Sequence, residues 1–340
     1  MKHAFKLSIC IPTYNRAKHL ANCLASIEAI QSEQKSMLEV CVSDNGSTDN
    51  TQEVVRSMQE KMPVKYNRNN TNLGIPRNFI NVVGMASGDF AWLVGDDDLI
   101  LPFALDRLLH LFEKNEDADF FYVNSYHLAS EYVLSFPQPF DVRNLPVKME
   151  TFSKYRKDDI VKFTQLIDPA VSFDFLGGMF LSVFRRKKWV ENVKALDPVA
   201  VADMRTFSFF DNTFPHVKIF SAAFMQSGAR FQSEPISVCL SGAREWSPMY
   251  PFVQSVRIIE SLSEYRRNGL PFLQYYFCRN SALQYFIPDL VSMYIHRKQS
   301  GWKYIKPWKH IFSNAFFPNA YFSLVYYVIR KLRQYTTAAA

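Results

Sequence analysis

Three consecutive aspartates, residues 96–98, directly follow Gly95 and an apolar run at residues 90–94. A short, continuous apolar run between glycines predicts a buried strand. Adjacent carboxylates at a strand end repel one another and are costly there without a counter-charge. Oxygen atoms are the ligands that hard divalent cations prefer, so a metal site is one interpretation. The other is a solvated acidic turn before a helix that starts near Pro102.

Two further polar clusters stand in the same relation to apolar runs earlier in the chain. Residues 12–16 (PTYNR) follow the apolar run at 7–11, and residues 43–50 (SDNGSTDN) follow the run at 38–42. In a parallel sheet the carboxyl ends of neighbouring strands meet at one edge, where ligands bind. We therefore expect these two loops and the aspartates at 96–98 to form one site.

The elements that must position these loops alternate between strand and helix patterns over about the first third of the chain. Helical spacing of apolar residues, as at Leu20, Leu24 and Ile27, separates the short apolar runs. Such alternation predicts an α/β fold with a parallel sheet and helices on both of its faces. The predicted strands comprise residues 7–11, 38–42, 63–66, 90–94 and 119–123.

Composition restricts the class of protein further. The 340 residues are 48% hydrophobic and 21% charged, which favours a folded chain with a large core. Five scattered cysteines without a C-x-x-C pair predict a reducing compartment and count against structural zinc. We expect neither a signal peptide nor a membrane-spanning helix, since no uncharged apolar run reaches about 18 residues. No G-x-G-x-x-G follows the first strand and no P-loop occurs, which counts against those nucleotide-binding folds.

The C-terminal part, residues 251–335, is basic, aromatic and helical in its periodicity. From residue 251 onwards twelve Lys and Arg stand against three Asp and Glu, whereas the whole chain has a net charge of +7. Aromatic rings beside cations suit helices that lie in the headgroup region of an anionic membrane. The alternative is an ordinary helical subdomain packed on the rest of the protein. We expect no nucleic-acid partner, because no recognition motif accompanies the charge.

Four segments together resemble the family 2 glycosyltransferases with the GT-A fold: LSICIPTYNR, VCVSDNGSTDNT, NTNLGIPRNFI and FAWLVGDDDLILP. The resemblance implies a Rossmann-like, mostly parallel central sheet with flanking helices, to which this chain adds its helical C-terminal extension. It also implies a nucleotide-diphosphate-sugar as donor. We therefore divide the chain into a donor-binding half at 1–125, an acceptor-binding half at 126–250 and a membrane-associating region at 251–335.

The resemblance implies roles for individual residues at the donor site. Asp96 and Asp98 would bridge Mn²⁺ or Mg²⁺ to the diphosphate; alternatively, Asp97 would hold the metal and Asp96 the ribose. A divalent ion can neutralise the charge that the leaving nucleoside diphosphate acquires. Gly95 departs from the family pattern, which commonly has an aspartate there, and Asp49 is expected to hold the first two loops together. The residues expected to contact the nucleotide-sugar are Pro12, Tyr14, Arg16, Asp44, Asn72, Arg77, Asp96 and Asp97.

On the acceptor side, the family places a stretch similar to residues 175–184 against donor and acceptor. Gly177 and Gly178 in this stretch allow a close approach of backbone to ligand. An inverting transferase also needs a base that takes the proton of the acceptor hydroxyl. A helix-capping aspartate and a buried histidine are the structural alternatives to such a base. The candidates are Asp203, Asp211 and His216, with Asp174 as an outsider.

Within the family, the sequence most resembles O-antigen and capsule transferases, and among them the abequosyltransferase-like branch. That branch implies CDP-abequose or another deoxyhexose as the donor and an undecaprenyl-diphosphate-linked oligosaccharide as the acceptor. It implies a peripheral enzyme on the cytoplasmic face of the bacterial inner membrane. An α-linked product from an α-linked donor would retain configuration, in which case no conventional base is needed. Two alternatives stay open, namely a sugar nucleotidyltransferase and a membrane-bound scaffold without catalysis.

Overall fold

A computed structural model of the protein describes residues 5–242 and 246–338. Within these residues the strands form a single mixed sheet at the centre of the molecule. The strands are β1 (Leu7–Thr13), β2 (Leu38–Asp44), β3 (Val64–Arg68), β4 (Phe90–Leu93), β5 (Leu99–Ile100), β6 (Ala118–Ala129), β7 (Glu150–Thr151), β8 (Ser182–Arg185) and β9 (Gly228–Ser241).

The strand order is β3-β2-β1-β4-β8-β6-β9-β5, with β7 paired to β6. Strands β3, β2, β1 and β4 are parallel to one another, and β9 is parallel to β6. Strand β8 is antiparallel to both β4 and β6, while β5 and β7 are antiparallel to β9 and β6. The predicted α/β class with a mostly parallel sheet is therefore confirmed.

Helices cover both faces of the sheet and make up the C-terminal part. They are α1 (Ala17–Glu28), α2 (Thr51–Gln59), α3 (Ile75–Met85), α4 (Ala104–Lys114), α5 (Ser130–Leu134), α6 (Arg186–Asn192), α7 (Pro198–Ala202), α8 (Phe210–Thr213), α9 (Pro215–Ala223), α10 (Tyr250–Phe252), α11 (Ile258–Arg267), α12 (Phe272–Ala282), α13 (Phe286–Ile295), α14 (Pro307–Ser313) and α15 (Pro318–Ala338).

Alternation of side chains along β1 explains why both faces carry helices. Leu7, Ile9 and Ile11 point into a core shared with α1, α2 and α4. Cys10 points into the opposite core, which contains residues of α3 and α9. A strand that is buried on both faces reads as a continuous apolar run, as parallel strands commonly do. The predicted strand and helix alternation up to β6 is confirmed.

The long strand β9 is absent from the sequence predictions, and Pro235 is the reason. A proline inside a candidate strand argues against a central position in a sheet, because it has no N–H group for the ladder. The structure accommodates it with a bulge, since Val123 pairs with Gln232 and Ser125 with Ser237, so residues 233–236 fall outside the ladder. Asn124 donates to the carbonyl oxygen of residue 233 at 3.0 Å and bridges this gap.

Strand register brings several loops to one edge of the sheet. Thr13 at the end of β1 is level with Asp44 at the end of β2, and Leu93 of β4 is level with Cys10 of β1. Because β8 runs antiparallel to β4, with Val183 opposite Trp92, the residues that precede β8 lie beside those that follow β4. The loops after β1, β2 and β4 and the loop before β8 therefore share this edge.

The predicted helical C-terminal extension is confirmed, and much of it packs on the rest of the protein. Phe252, Leu262, Tyr265 and Cys278 belong to the same apolar core as Phe120 of β6. The boundary proposed at residue 125 lies inside β6, so the donor and acceptor halves are two parts of one sheet. In the part of the chain that the structure describes, no helix is long and apolar enough to cross a membrane.

Candidate functional site

The first and third polar clusters touch through Asp96 and Asp97, as the strand ends predicted. The hydroxyl of Thr13 donates to Asp96 Oδ2 at 2.7 Å, and Arg16 Nε lies 3.0 Å from Asp96 Oδ1. Nη2 of the same guanidinium donates to Asp97 Oδ2 at 2.8 Å. Two nearly buried carboxylates thus share one guanidinium, so the charged groups at the end of β4 lie in direct contact.

Asp98 differs from its two neighbours because it closes its own turn. Its Oδ2 accepts the backbone N–H of Gly95 at 3.0 Å. A Cβ atom at Gly95 would lie only 2.8 Å from Asp97 Oδ1 and from Asp98 Oδ2. Any larger residue at 95 would displace both carboxylates, so sterics explain the glycine that departs from the family pattern.

The pKa of Asp96 responds to the burial and the charges around it. Burial raises the pKa of Asp96 to about 7, and the charge of Asp97 adds to this effect. The guanidinium of Arg16 and the hydroxyl of Thr13 oppose the rise in this pKa. A cation placed against these oxygens would favour the ionised form, because an opposite charge lowers a carboxyl pKa.

Asp44 at the end of β2 is fully buried, and both of its oxygens face protein donors. Oδ1 accepts the N–H of Ser47 at 2.8 Å, and Oδ2 accepts the hydroxyl of Tyr66 at 2.7 Å. Arg68 Nε lies 3.6 Å from Oδ2. Asp44 therefore shapes its loop, and a hydrogen bond from Asp44 to a base or ribose stays a prediction. Asp49 accepts the N–H of Ala17 at 2.9 Å, which confirms that it joins the first two loops.

Asn45 connects the second cluster to the loop at 72–74. Its Nδ2 donates to Asn72 Oδ1 at 2.8 Å, and its Oδ1 accepts the N–H of Leu73 at 2.9 Å. Asn72 Oδ1 also accepts the N–H of Gly74 at 2.8 Å. Asn72 thus lies at the predicted edge, although its amide is engaged within the loop network.

Asn78 is a member of the site that the sequence predictions missed. Its Nδ2 donates to the carbonyl oxygens of Thr13 and Ser43, at 3.3 and 3.0 Å, and so ties α3 to β1 and β2. The available signal was its position four residues before Val82 on the buried face of α3, where an amide is out of place without a partner. The neighbouring Arg77 is exposed, as is the ring of Tyr14, while Pro12 is buried.

The loop before β8 contains two residues in the left-handed backbone region, Phe175 and Leu176, with φ of +50° and +69°. Asp174 stabilises the turn from within, because its Oδ2 accepts the N–H of Gly178 at 2.7 Å. Such backbone costs about 1–3 kcal/mol per residue and persists only where the surroundings impose it. The segment with Gly177 and Gly178 is therefore a loop whose conformation is fixed by its surroundings, and it lies at the sheet edge that also carries Asp96.

Three side chains from other elements bind the carbonyl oxygens of this loop. His216 Nε2 lies 2.9 Å from the carbonyl oxygen of Gly177, and the hydroxyl of Tyr265 donates to that of Phe175 at 3.0 Å. Trp92 Nε1 donates to the carbonyl oxygen of Phe180 at 2.7 Å. The loop is thereby fastened to β4, α9 and α11.

The three candidate bases have different surroundings. Burial lowers the pKa of His216 to about 4, and because a carbonyl only accepts, its proton sits on Nε2. Its Nδ1 has no hydrogen-bond partner among the described residues. Asp211 is buried and accepts the N–H of Asp197 at 2.7 Å, with Lys218 Nζ at 3.6 Å. His216 thus holds the Gly177 loop, and a role as base for either residue stays a prediction.

Asp203 lies in a turn beside the loop at 72–74. Hydrogen bonds from the side chain and backbone of Arg205 hold the pKa of Asp203 at about 2. Met204 Sδ would be 3.3 Å from a Cβ atom on Gly74, so this turn contacts the donor loop. The structure therefore brings the segment with Asp203 to the predicted site, with its carboxylate paired to a neighbouring cation.

The carboxylates suit a cation that also binds substrate. Across the residues that the structure describes, no group of three or more His, Cys, Asp or Glu side chains forms a complete protein cage for a metal. Mg²⁺ is usually held by one or two carboxylates together with substrate phosphates. Asp96 and Asp97 present oxygen atoms of that kind at a strand end, so the donor set fits such an ion.

Comparison with known proteins gives the class first. Residues 8–171 match Glycosyl transferase family 2, so the chain contains a domain of that family. The crystal structure of S. aureus TarS 1-349 in complex with UDP-GlcNAc superposes with a TM-score of 0.52 at 15% identity, covering 88% of this chain and 89% of that one. The predicted GT-A fold is thereby confirmed.

Individual relatives narrow the class. The chain is 30% identical over 245 residues to abequosyltransferase RfbV of Salmonella typhimurium, covering 68% of this chain and 66% of that protein. It is 38% identical over 106 residues to the GalNAc(5)-diNAcBac-PP-undecaprenol beta-1,3-glucosyltransferase of Campylobacter jejuni, covering 31% of this chain and 33% of that protein. The matches thus span about two thirds of the first relative and one third of the second. The predicted resemblance to family 2 and to an abequosyltransferase is confirmed.

Proposed function

We propose that this protein is a glycosyltransferase that moves a sugar from a nucleotide-diphosphate donor to a lipid-linked glycan. The observation that carries the proposal is the convergence of Thr13, Arg16, Asp96 and Asp97 at one edge of a family 2 domain. The relatives support the two substrates, since one is named an abequosyltransferase and another acts on an undecaprenol-linked glycan. CDP-abequose or another deoxyhexose nucleotide is accordingly the proposed donor.

Donor and acceptor are assigned to different parts of the edge. Residues 1–125 supply the nucleotide contacts, through the loop at 12–16 and the loop with Asn72 and Arg77. Residues 126–250 supply the acceptor side through the Gly177 loop. Register supports this division, because the segment before β8 lies beside the end of β4.

Mn²⁺ or Mg²⁺ is the proposed cofactor, with Asp97 as its main protein ligand. One oxygen of each carboxylate is engaged, since the Gly95 N–H binds Asp98 Oδ2 and Arg16 binds Asp97 Oδ2. Greater exposure supports Asp97, at 8% against 2% for Asp98. Asp96 is held in place by Thr13 and Arg16 and is assigned to the donor beside the ion. When bound, the ion neutralises the charge that develops on the leaving diphosphate.

Asp211 is the proposed base if the reaction inverts configuration. The helix junction beside it supports this choice, since the ring of Phe214 would lie 3.3 Å from a Cβ atom on Gly177. If the reaction retains configuration, the leaving diphosphate can take the proton of the acceptor hydroxyl in place of Asp211, and NMR of the product anomer separates the two cases. The enzyme would work on the cytoplasmic face of a bacterial inner membrane, where a lipid-linked acceptor is available.

Calorimetry with UDP, CDP, GDP and dTDP in the presence of Mn²⁺ tests the proposal. We expect CDP to bind best and Asp97→Asn to lower metal-dependent affinity and transfer by about 100-fold or more, the scale seen when a group that stabilises developing charge is lost. Asp117→Asn, an exposed change of the same kind, should have no effect.

Other outcomes of this experiment would contradict the proposal. Full transfer by Asp97→Asn would remove the metal site from the mechanism. Release of pyrophosphate would indicate a sugar nucleotidyltransferase. Absence of any metal-dependent nucleotide binding by the native protein would indicate a scaffold without catalysis.

A further inference from the structure

Helix α15 is buried through its first turns and exposes most of the side chains that follow. Phe317, Ala320 and Ser323 are buried, and with them α15 packs on α12 and α13. The next six residues, 324–329, are all apolar or aromatic, and all six are exposed. Consecutive helical residues are about 100° apart, so six of them cover every side of the helix. This segment is therefore apolar all round, and each of its side chains is at least 38% exposed, although Arg330 directly after it contacts Gln284 and Tyr285.

Helix α14 adds exposed rings on the same C-terminal part. Trp308, Ile311 and Phe312 follow helical spacing and are exposed, and Phe316 beyond the helix is 85% exposed. The position of Phe316 is defined, because Tyr276 of α12 donates to its carbonyl oxygen at 3.0 Å. The Tyr276 ring also stacks on Phe317, with 4.9 Å between centroids. The exposed rings thus belong to an ordered junction between α14 and α15.

Charge sets this surface apart from the rest of the molecule. No Asp or Glu occurs after Asp289, while eight Lys and Arg do. The cations stand beside aromatic rings: Arg330 lies 3.9 Å from the centroid of the Tyr285 ring, and Lys331 lies 5.9 Å from that of Tyr327. Lys306 and Lys309 flank Trp308 and are exposed. An acid-free surface of this kind is complementary to an anionic one.

We propose that α14 and α15 dock the protein on an anionic lipid bilayer, with residues 324–329 immersed at the level of the headgroups and upper acyl chains. A helix that is apolar on every side needs an apolar medium around it. Lys and Arg beside it match anionic headgroups. A second copy of the chain would bring two acid-free tails together, and their like charges repel. Nucleic acid would satisfy the cations and leave the apolar residues in water.

This inference deepens the proposed function, and it rests on that function only in placing a lipid-linked acceptor at the same surface. Docking would confine the search for such an acceptor to the plane of the membrane. Helices α10 and α11 pack into the core through Phe252 and Leu262, and neither takes part in it. Helix α12 buries Cys278 and exposes Phe272 and Leu273, which lie outside the docking surface of α14 and α15. The docking surface is thus narrower than the predicted region 251–335.

Vesicle flotation tests the apolar part of the surface. Native protein is mixed with vesicles of phosphatidylglycerol and phosphatidylethanolamine, and the variant Val325→Asp/Val328→Asp is compared with Val147→Asp/Val161→Asp. The exposed fractions of Val325, Val328 and Val161 are 51%, 50% and 51%, and that of Val147 is 102%, so the control places the same two charges at exposed valines outside α15. We expect the α15 variant to lose partitioning by about tenfold, since charged side chains are unfavourable in the interface of a bilayer. The control pair should float like the native protein.

A second pair of variants tests the charge. Lys306→Gln/Lys309→Gln should lower binding to the anionic vesicles by about fivefold for each charge removed. Binding to pure phosphatidylcholine vesicles should be weak for all proteins and unaffected by this change. Lys61→Gln/Lys114→Gln, which removes two exposed lysines of the sheet domain, should leave flotation unchanged.

Equal flotation of the native protein and Val325→Asp/Val328→Asp would overturn the proposal. It would also be overturned if light scattering without vesicles showed an oligomer of native protein that this variant converts to a monomer, because the surface would then join two copies. Nucleotide binding by calorimetry separates the failures. If the native protein binds nucleotide and does not float with the vesicles, only the docking proposal is contradicted. If it floats and does not bind nucleotide, only the proposed function is contradicted.

Discussion

Two regions meet at the same edge of the sheet and are built in different ways. In the donor region the groups of interest are side chains: Asp96 and Asp97 are held by Thr13 and Arg16. In the loop before β8 the groups of interest are backbone atoms. Side chains of other elements, such as Tyr265 of α11, donate to the carbonyl oxygens of this loop. The chemistry of the donor region can be recognised from its residue types. The position of the loop before β8 depends instead on the packing of helices that are distant in sequence.

Because the two regions are built differently, substitutions in them should have different effects. A substitution in the donor region removes a charge or an amide that touches its partners directly, so nucleotide binding and stability should change together. A substitution behind the loop before β8 changes only the position of backbone atoms, so transfer should fall while nucleotide binding stays. Three substitutions test this contrast, in order of expected effect.

Arg16→Ala should have the largest effect on stability. It leaves two nearly buried carboxylates without the guanidinium they share. Breaking a fully buried ion pair costs about 3–5 kcal/mol, and the loss here should be smaller because the Arg16 side chain is 24% exposed. Arg16 lowers the pKa of Asp96, so its removal raises that pKa above about 7. A folded-state pKa above the unfolded value stabilises at low pH and loses this effect as pH rises. Urea unfolding should therefore show a greater loss at pH 8 than at pH 5.

The control for Arg16→Ala is Arg143→Ala, since Arg143 pairs with an aspartate on the exposed surface. We expect no measurable change in unfolding for this control, because exposed ion pairs contribute little. A loss of stability in Arg16→Ala that is the same at pH 5 and pH 8 would contradict the shared-charge interpretation.

Asn78→Ala should have an intermediate effect. It removes the amide donor of the carbonyl oxygens of Thr13 and Ser43, of which Thr13 keeps the N–H of Asn45 at 2.9 Å. The loss at a buried group costs about 1–3 kcal/mol. Since Asn78 joins α3 to two loops of the donor region, nucleotide affinity should weaken as well. Asn70→Ala, an exposed change in the loop before α3, serves as the control in both measurements. Unchanged nucleotide affinity in Asn78→Ala would show that the loops are held without it.

Tyr265→Phe should have the smallest effect on the fold and the most selective effect on function. It removes one hydrogen bond to Phe175, worth about 1 kcal/mol of stability. Displacement of the loop by a fraction of an ångström should lower transfer by about tenfold. Nucleotide affinity should stay unchanged, because no donor contact is touched. Tyr132→Phe, which also removes a hydroxyl bound to a backbone carbonyl, is the control.

A parallel fall of nucleotide affinity and transfer in Tyr265→Phe would erase the contrast between the two regions. It would mean that the loop before β8 also supports the donor, and that the division of the chain near residue 125 has no functional counterpart. We expect no second substitution in the donor region to restore transfer in Tyr265→Phe.

Most of the sheet could be predicted because the pattern that specifies it is local. β1 is a continuous apolar run whose successive side chains face the two cores in turn, and α1 to α4 carry apolar residues at helical spacing. β9 could not be predicted, since Pro235 obeys the rule against central strands and only the bulge opposite Asn124 relieves it. The convergence of three polar clusters was predictable, because it follows from strand ends alone.

The sequence by itself determined the class of fold, the edge at which the site lies and the carboxylates in it, because these depend on residue type and on spacing along the chain. Tertiary structure decided what those residues do for one another. Asp98 closes a turn that only Gly95 permits, and His216 holds a loop through Gly177. Tertiary structure also decided which part of an aromatic, basic tail is buried and which is exposed. These outcomes depend on close packing of groups that are distant in sequence, and no local pattern encodes such contacts.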